Sequence, residues 1–204
     1  MRALVPSGLE LDRFAGEVYV GLVPFAMQAV RPRWLPRFAS LDFLETNVRT
    51  YVHRNGTPGV YFFSLEAASR LAVLAARLTF GLPYHHAEMR LDDGSGIVEY
   101  ASRRRGGRRP GLRVRYRPED ASAPSTEGTL QHFLVERYHL FVERRGALFR
   151  GQVSHPPYPV GGAELLGLED ELVAAAGLPP LAGPPVHVCW SAGVDVEVFG
   201  LRPA

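Results

Sequence analysis

The stretch "LETNVRTYVHRNGTPGVYFFSLEA", residues 44–67, constrains this chain more than any other. Asn55-Gly56 tolerates the positive backbone angles of a tight two-residue turn and stands between two β-rich runs. It therefore predicts a hairpin with arms at about 44–53 and 59–63. In the first arm Glu45, Asn47, Arg49 and Tyr51 alternate with Thr46, Val48, Thr50 and Val52. Side chains of a strand alternate between its faces, so one face carries a carboxylate, an amide, a guanidinium and a phenol while the other suits a core. Such a polar face is either solvated or turned into an enclosed cavity, and the strand alone leaves both open.

Other segments extend this pattern. "EVYVGLV" reads as a strand ended by Pro24, followed by the loop "PFAMQAVRPRWLPRF". Ser64 suits the N-cap of a helix with Glu66 in its first turn and Leu71, Leu74, Ala75 and Leu78 on an apolar face, stopped by Gly81 and Pro83. "YHHAEMRL" returns to extended structure, and "GIVEYASRR" pairs with "GLRVRYRP" through Gly106-Gly107. A short helix is expected at about 127–136, and the strands "YHLFVE" and "ALFRGQV" flank Arg144-Arg145-Gly146. "GAELLGLEDELVAAAGL" reads as a helix ending at Gly177, and "VHVCWSAGVDVEVFGL" as closing hairpin strands. Some eight to ten strands with two or three helices inserted between hairpins predict one α+β domain over residues 1–204, mainly antiparallel β.

Composition narrows the chemistry. All 23 basic residues are arginine, so no side chain offers the amine that imine catalysis needs at neutral pH. Cys189 stands alone, which removes internal disulfides and thiolate metal clusters. Without an apolar run of roughly 20 residues or a signal-peptide core, a cytoplasmic protein is expected. The net charge of +2 is too small to imply a polyanionic partner, although eight arginines fall between Arg103 and Arg117 beside Tyr116. Their alternation about a Gly-Gly turn also describes an exposed hairpin whose charges discourage edge pairing. No zinc-finger or helix-turn-helix pattern accompanies them, so nucleic acid is not the expected partner.

On a strand, Tyr84 and His86 share one face and His85 takes the other. Tyr84 is suited to donate a hydrogen bond to a carbonyl or enolate, and His86 to exchange a proton near its ordinary pKa of about 6.5. Both also suit a core or rim with satisfied polar ends. Adjacent histidines diverge on a strand, and His53, His132, His139 and His155 could join them only through the fold, so no metal and no cofactor is expected.

"LETNVRTYV", "PGVYFFSLEA", "PYHHAEM", "GTLQHFLVERYHLF", "HPPYPV" and "GVDVEV" resemble, in this order, the YqjF-like family of uncharacterised bacterial proteins. That family is grouped with the acetoacetate decarboxylase-like superfamily. The resemblance implies a cone-shaped antiparallel β-barrel with an interior pocket and a few peripheral helices. In the decarboxylases a segment similar to Phe80-Gly81-Leu82-Pro83 leads into two adjacent lysines, where this chain has Tyr84 and His85. A buried glutamate on an earlier strand corresponds to Glu45, and an arginine near the family's N-terminus has Arg31 as a possible counterpart. The resemblance thus implies a pocket for a small organic acid or carbonyl compound without the imine step, with Tyr84 as donor and Glu45 or His86 as base. Arg49 would anchor a carboxylate, with Asn47, Tyr51 and Arg31 lining the site. A binding protein that keeps the barrel without catalysis is the alternative, with nucleic-acid association through the arginine-rich hairpin of residues 103–117 as a third reading, and self-association is plausible from the long β edges.

Overall fold

The hairpin forms about Asn55 and Gly56, whose φ angles of 49° and 76° suit a tight turn between right-twisted strands. The computed structural model describes residues 1–30, 41–119 and 121–204. Its strands open with β1 (Glu10–Leu11), β2 (Val20–Val30), β3 (Leu41–Arg54) and β4 (Thr57–Ala67). Helix α1 (Arg70–Thr79) leads to β5 (Tyr84–Asp92), β6 (Val98–Arg104), β7 (Gly111–Pro118) and β8 (Ala123–Pro124). Helix α2 (Leu130–Val135) precedes β9 (His139–Arg144), β10 (Ala147–Ser154) and β11 (Pro159–Asp170). Last come α3 (Leu172–Ala175), β12 (Cys189–Ser191), β13 (Glu197–Val198) and β14 (Arg202–Pro203).

These strands form one connected sheet whose main path runs β12-β11-β7-β6-β5-β4-β9-β10-β13, with β3 on the other side of β4 and β2 beyond it. The path does not return to its first strand, so among the described residues the expected barrel is an open, curled sheet. Pairing is antiparallel except along β4, which divides the sheet. Its C-terminal part runs parallel to β5 from Leu65 to Ala67, and its N-terminal part runs parallel to β9 at Val60 and Tyr61. One apolar cluster, around Val48, Tyr100, Leu112 and Leu172, fills one side of β3. Another, around Tyr51, Leu65, Leu82 and Leu140, fills the other.

Several local expectations are corrected. Strand β4 runs through Ser64 and Glu66, and the helix is capped instead by Ser69, whose hydroxyl accepts from the Ala72 amide at 3.2 Å. The helix turns its leucines outward, with Leu71 68% and Leu78 69% exposed, and rests on the sheet through Val73. β2 continues through Pro24, which is tolerated because among the described residues β2 pairs with β3 alone and the proline's missing N–H can face away from the ladder. Residues 161–170 are strand rather than helix: Gly161 and Gly162 pair with β12 while Leu165 and Leu168 lie across from β7, and tertiary pairing overrides the leucine-rich helical spacing. Helix survives only as α3 ahead of Gly177, which ends it at φ 88°. The closing segments do not pair with each other, since β12 joins β11 while β13 and β14 join β10.

Candidate functional site

Strand β3 is a wall buried on both sides. The hairpin register sets Glu45 opposite Ala67, Asn47 opposite Leu65, Arg49 opposite Phe62 and Tyr51 opposite Val60, so these side chains share one face. Parallel pairing of Leu65 with Tyr84 and of Ala67 with His86 brings Tyr84 and His86 to that face, and sends His85 with Glu66 to the other. The alternating polar face is not solvated: Glu45 and Asn47 are each only 4% exposed.

Glu45 meets Tyr84, not Arg49. The Tyr84 hydroxyl donates to Glu45 Oε2 at 2.9 Å. Burial, opposed by the Tyr84 hydrogen bond and aided by the Glu66 carboxylate on the other face, leaves the Glu45 carboxyl pushed up to about 8. Burial also raises the Tyr84 phenol, and Glu45 adds to the rise. Both groups are therefore neutral at pH 7. Two O–H groups facing each other need only one proton between them, so the pair has a second to offer a carbonyl oxygen.

Arg49 lies four residues along the strand, roughly 13 Å away at the usual strand rise. Its Nη2 donates to the Leu134 carbonyl at 2.9 Å, and its guanidinium carbon stands 5.5 Å from the Tyr51 ring centre. Gly21 faces it on β2, where a methyl group would come within 2.9 Å of the Tyr51 hydroxyl and 3.2 Å of Arg49 Cγ. The glycine leaves the room in which Arg49 and Tyr51 lie. Arg49 Nε and Asn47 Oδ1 are buried with no partner among the described residues, and such groups cost stability unless something binds them. Helix α2 covers this end. Phe133 packs on Tyr51 with ring centres 5.2 Å apart, and Arg137 lies over Phe133 while pairing with Asp12 at 2.6 Å. Cys189 is near enough that Arg49 partly offsets the rise burial imposes on its thiol. Arg31 lies outside the described residues.

Behind the wall is a polar group that sequence reasoning missed. Glu66, fully buried, is ion-paired with Arg104 and accepts from Ser64 Oγ at 3.4 Å. Burial raises Glu66, and Arg104 holds that rise back. His85, beside them, is lowered to about 4 by burial and by Arg104 and Arg77, so it is neutral at pH 7. Thr46 donates to the Tyr100 hydroxyl at 3.0 Å, which donates in turn to the Glu45 carbonyl at 2.8 Å. The signal for Glu66 was the unbroken alternation of Ser64 and Glu66 with Leu65 and Ala67, together with a second capping residue at Ser69.

Five of the eight arginines of the arginine-rich hairpin are paired in place, with four glutamates. Arg104 turns inward, Arg105 and Arg109 share Glu88, Arg115 holds Glu99 at 2.8 Å, and Arg117 pairs with Glu164. Among the described residues no three His, Cys, Asp or Glu side chains are grouped to hold a metal, and no helix is long and apolar enough to cross a membrane. Two cavities, of about 250 and 460 Å³, lie elsewhere, and neither is lined by Glu45, Arg49 or Tyr84.

This open sheet with its few peripheral helices has the acetoacetate decarboxylase-like fold. Superposition on the enduracididine biosynthesis enzyme MppR complexed with pyruvate gives a TM-score of 0.64 at 15% identity, covering 99% of this chain and 82% of that one. An acetoacetate decarboxylase structure gives 0.62 at 17%, covering 98% and 81%. These likenesses are of fold. Residues 1–195 match the model of DUF2071, described as an uncharacterized conserved protein, and the chain belongs to that family. Its relative YqjF of Bacillus subtilis (strain 168) is 37% identical over 204 residues, covering 99% of this chain and 84% of the relative.

Proposed function

We propose that the face of β3 bearing Glu45, Asn47, Arg49 and Tyr51 binds a small organic acid or carbonyl compound, and that whatever chemistry follows does not pass through an imine. The observation that carries this reading is the Tyr84–Glu45 hydrogen bond, formed out of water by two neutral groups. Arg49 supports it, as a cation on the same face with a free Nε beside a free Asn47 amide oxygen. Because Arg49 stands roughly 13 Å along the strand from Glu45, the ligand would be long enough for its carboxylate to lie on Arg49 while its carbonyl oxygen takes the spare O–H of the Tyr84–Glu45 pair. With no lysine in the chain, the carbonyl is activated by hydrogen bonding and not through an imine. That a fold relative is complexed with pyruvate agrees with a keto acid as the ligand class.

Two bases are available in this reading: Glu45, which becomes a base only above about 8, and His86 on the same face. A second reading, binding without turnover, is favoured by the neutrality of Glu45, which leaves the pair a donor and not a base at pH 7. The test is a thermal-shift screen of the wild type and Arg49→Gln against small keto acids, hydroxy acids and aldehydes. A stabilising acid that loses its effect in Arg49→Gln supports the site, and one that stabilises both proteins equally removes Arg49 from it. Turnover of that acid then decides between the two readings.

A further inference from the structure

The division of the sheet at β4 creates a second place to bind. On the side away from β3, β9 leaves β4 after Tyr61 and β5 joins it at Leu65, where the Leu65 amide donates to the Pro83 carbonyl at 3.1 Å. Between these points no strand among the described residues lies beside Phe62, Phe63 and Ser64. The register on the β3 side slips at the same place: Val48 pairs with Ser64 and Arg49 with Phe62, leaving Phe63 as the extra residue of a bulge. The gap is the cavity of about 250 Å³, walled by β4, by the 81–83 segment, by β9 and by Leu4 and Ala176.

Its chemistry differs from that of the Glu45 face. The walls are aromatic and aliphatic, with Tyr61 and Phe63 edge to face at 5.7 Å and Phe141 buried behind them. Glu143 is the one charged residue of the lining. Its carboxylate lies close enough to raise the Tyr61 phenol beyond what burial does. Arg144 does not line the cavity, and its guanidinium is held by the Thr79 carbonyl at 2.8 Å. A pocket whose exposed lining is half polar, with one carboxylate and several ring faces, is complementary to a cation with an apolar body.

We propose that the cavity where β4 divides the sheet binds a small primary amine bearing an aromatic or branched aliphatic body, its ammonium group on Glu143. The site is separate from the Glu45 face and prefers the opposite charge.

Titration calorimetry of the full chain with phenethylamine, and with phenylacetate as the same body bearing the opposite charge, tests this. Phenethylamine is expected to bind, Glu143→Gln to weaken it about fivefold, as an exposed ion pair allows, and Ala176→Leu, which fills the cavity, to abolish it. Glu143 is exposed, so its variant retains the fold even if Ala176→Leu does not. The proposal is overturned if phenethylamine fails to bind, if Glu143→Gln leaves its affinity unchanged, or if phenylacetate binds this cavity as tightly. Binding of phenylacetate that responds to Arg49→Gln and not to Glu143→Gln reports the Glu45 face alone.

Discussion

Two glutamates, Glu45 and Glu66, are buried back to back across the β3–β4 ladder, yet their neighbours give them different chemistry. Glu66 has a guanidinium and a hydroxyl against it, so its negative charge is answered inside the protein. Glu45 has only a phenol, and it is cheaper for it to keep its proton. Equal burial therefore does not make equal sites. The acid with a cationic partner is committed to holding the sheet together, and the one with a neutral partner retains hydrogen-bonding capacity for something else.

The largest effect is expected where the charge is answered. Arg104→Met strands Glu66 in the core and should cost roughly 3–5 kcal/mol in urea unfolding, and pairing it with Glu66→Leu should recover most of that. A loss under 1 kcal/mol in the single variant would erase the distinction between the two acids. Next is Glu45→Gln. The folded carboxyl titrates near 8 against 4.5 unfolded, so the wild type has its full stability below about pH 4.5 and loses it as pH rises towards 8. The variant lacks this titration and should gain up to a few kcal/mol on the wild type between pH 5 and pH 9, read as the difference in Tm at the two values. Tyr84→Phe removes the hydrogen bond and should cost about 1–2 kcal/mol. It should also move the Glu45 titration upward, because that bond lowers it, and 13C NMR of the carboxyl would record the change. The smallest effect belongs to the exposed sheet, where Glu99→Gln breaks the half-exposed pair with Arg115 and should change stability by about 1 kcal/mol or less.

The Glu45 face was legible because its periodicity is local. Alternation over eight residues and an Asn-Gly turn place Glu45, Asn47, Arg49 and Tyr51 together whatever the rest of the chain does. The same holds for β5, where period two separates Tyr84 from His85. What could not be read depended on partners distant in sequence. Arg104 looks like one more solvent arginine until β6 is laid beside β5, which puts it across from Ala87 and over Glu66. The leucine spacing of residues 163–168 is indistinguishable from a helix face until β7 pairs with it. Ser64 and Ser69 are equally good caps in isolation, and the choice falls to Ser69 because β4 extends its ladder to Ala67.

The extra residue in β4 bears on how this chain can change length. Upstream of Phe63 and downstream of it, the strand shows the same alternation to β3 only because one residue is skipped in the count. Removing a single residue elsewhere in the ladder would turn all side chains on one side of the deletion over, exchanging Leu65 for Glu66 or Val60 for Tyr61 at the wall. Loss of one of the two residues at the bulge, Phe63 or Ser64, would leave the rest facing as before and make the ladder regular. An inherited deletion there would be silent for the Glu45 face while erasing a wall of the cavity beside it, so the two compartments can be gained and lost independently in descent.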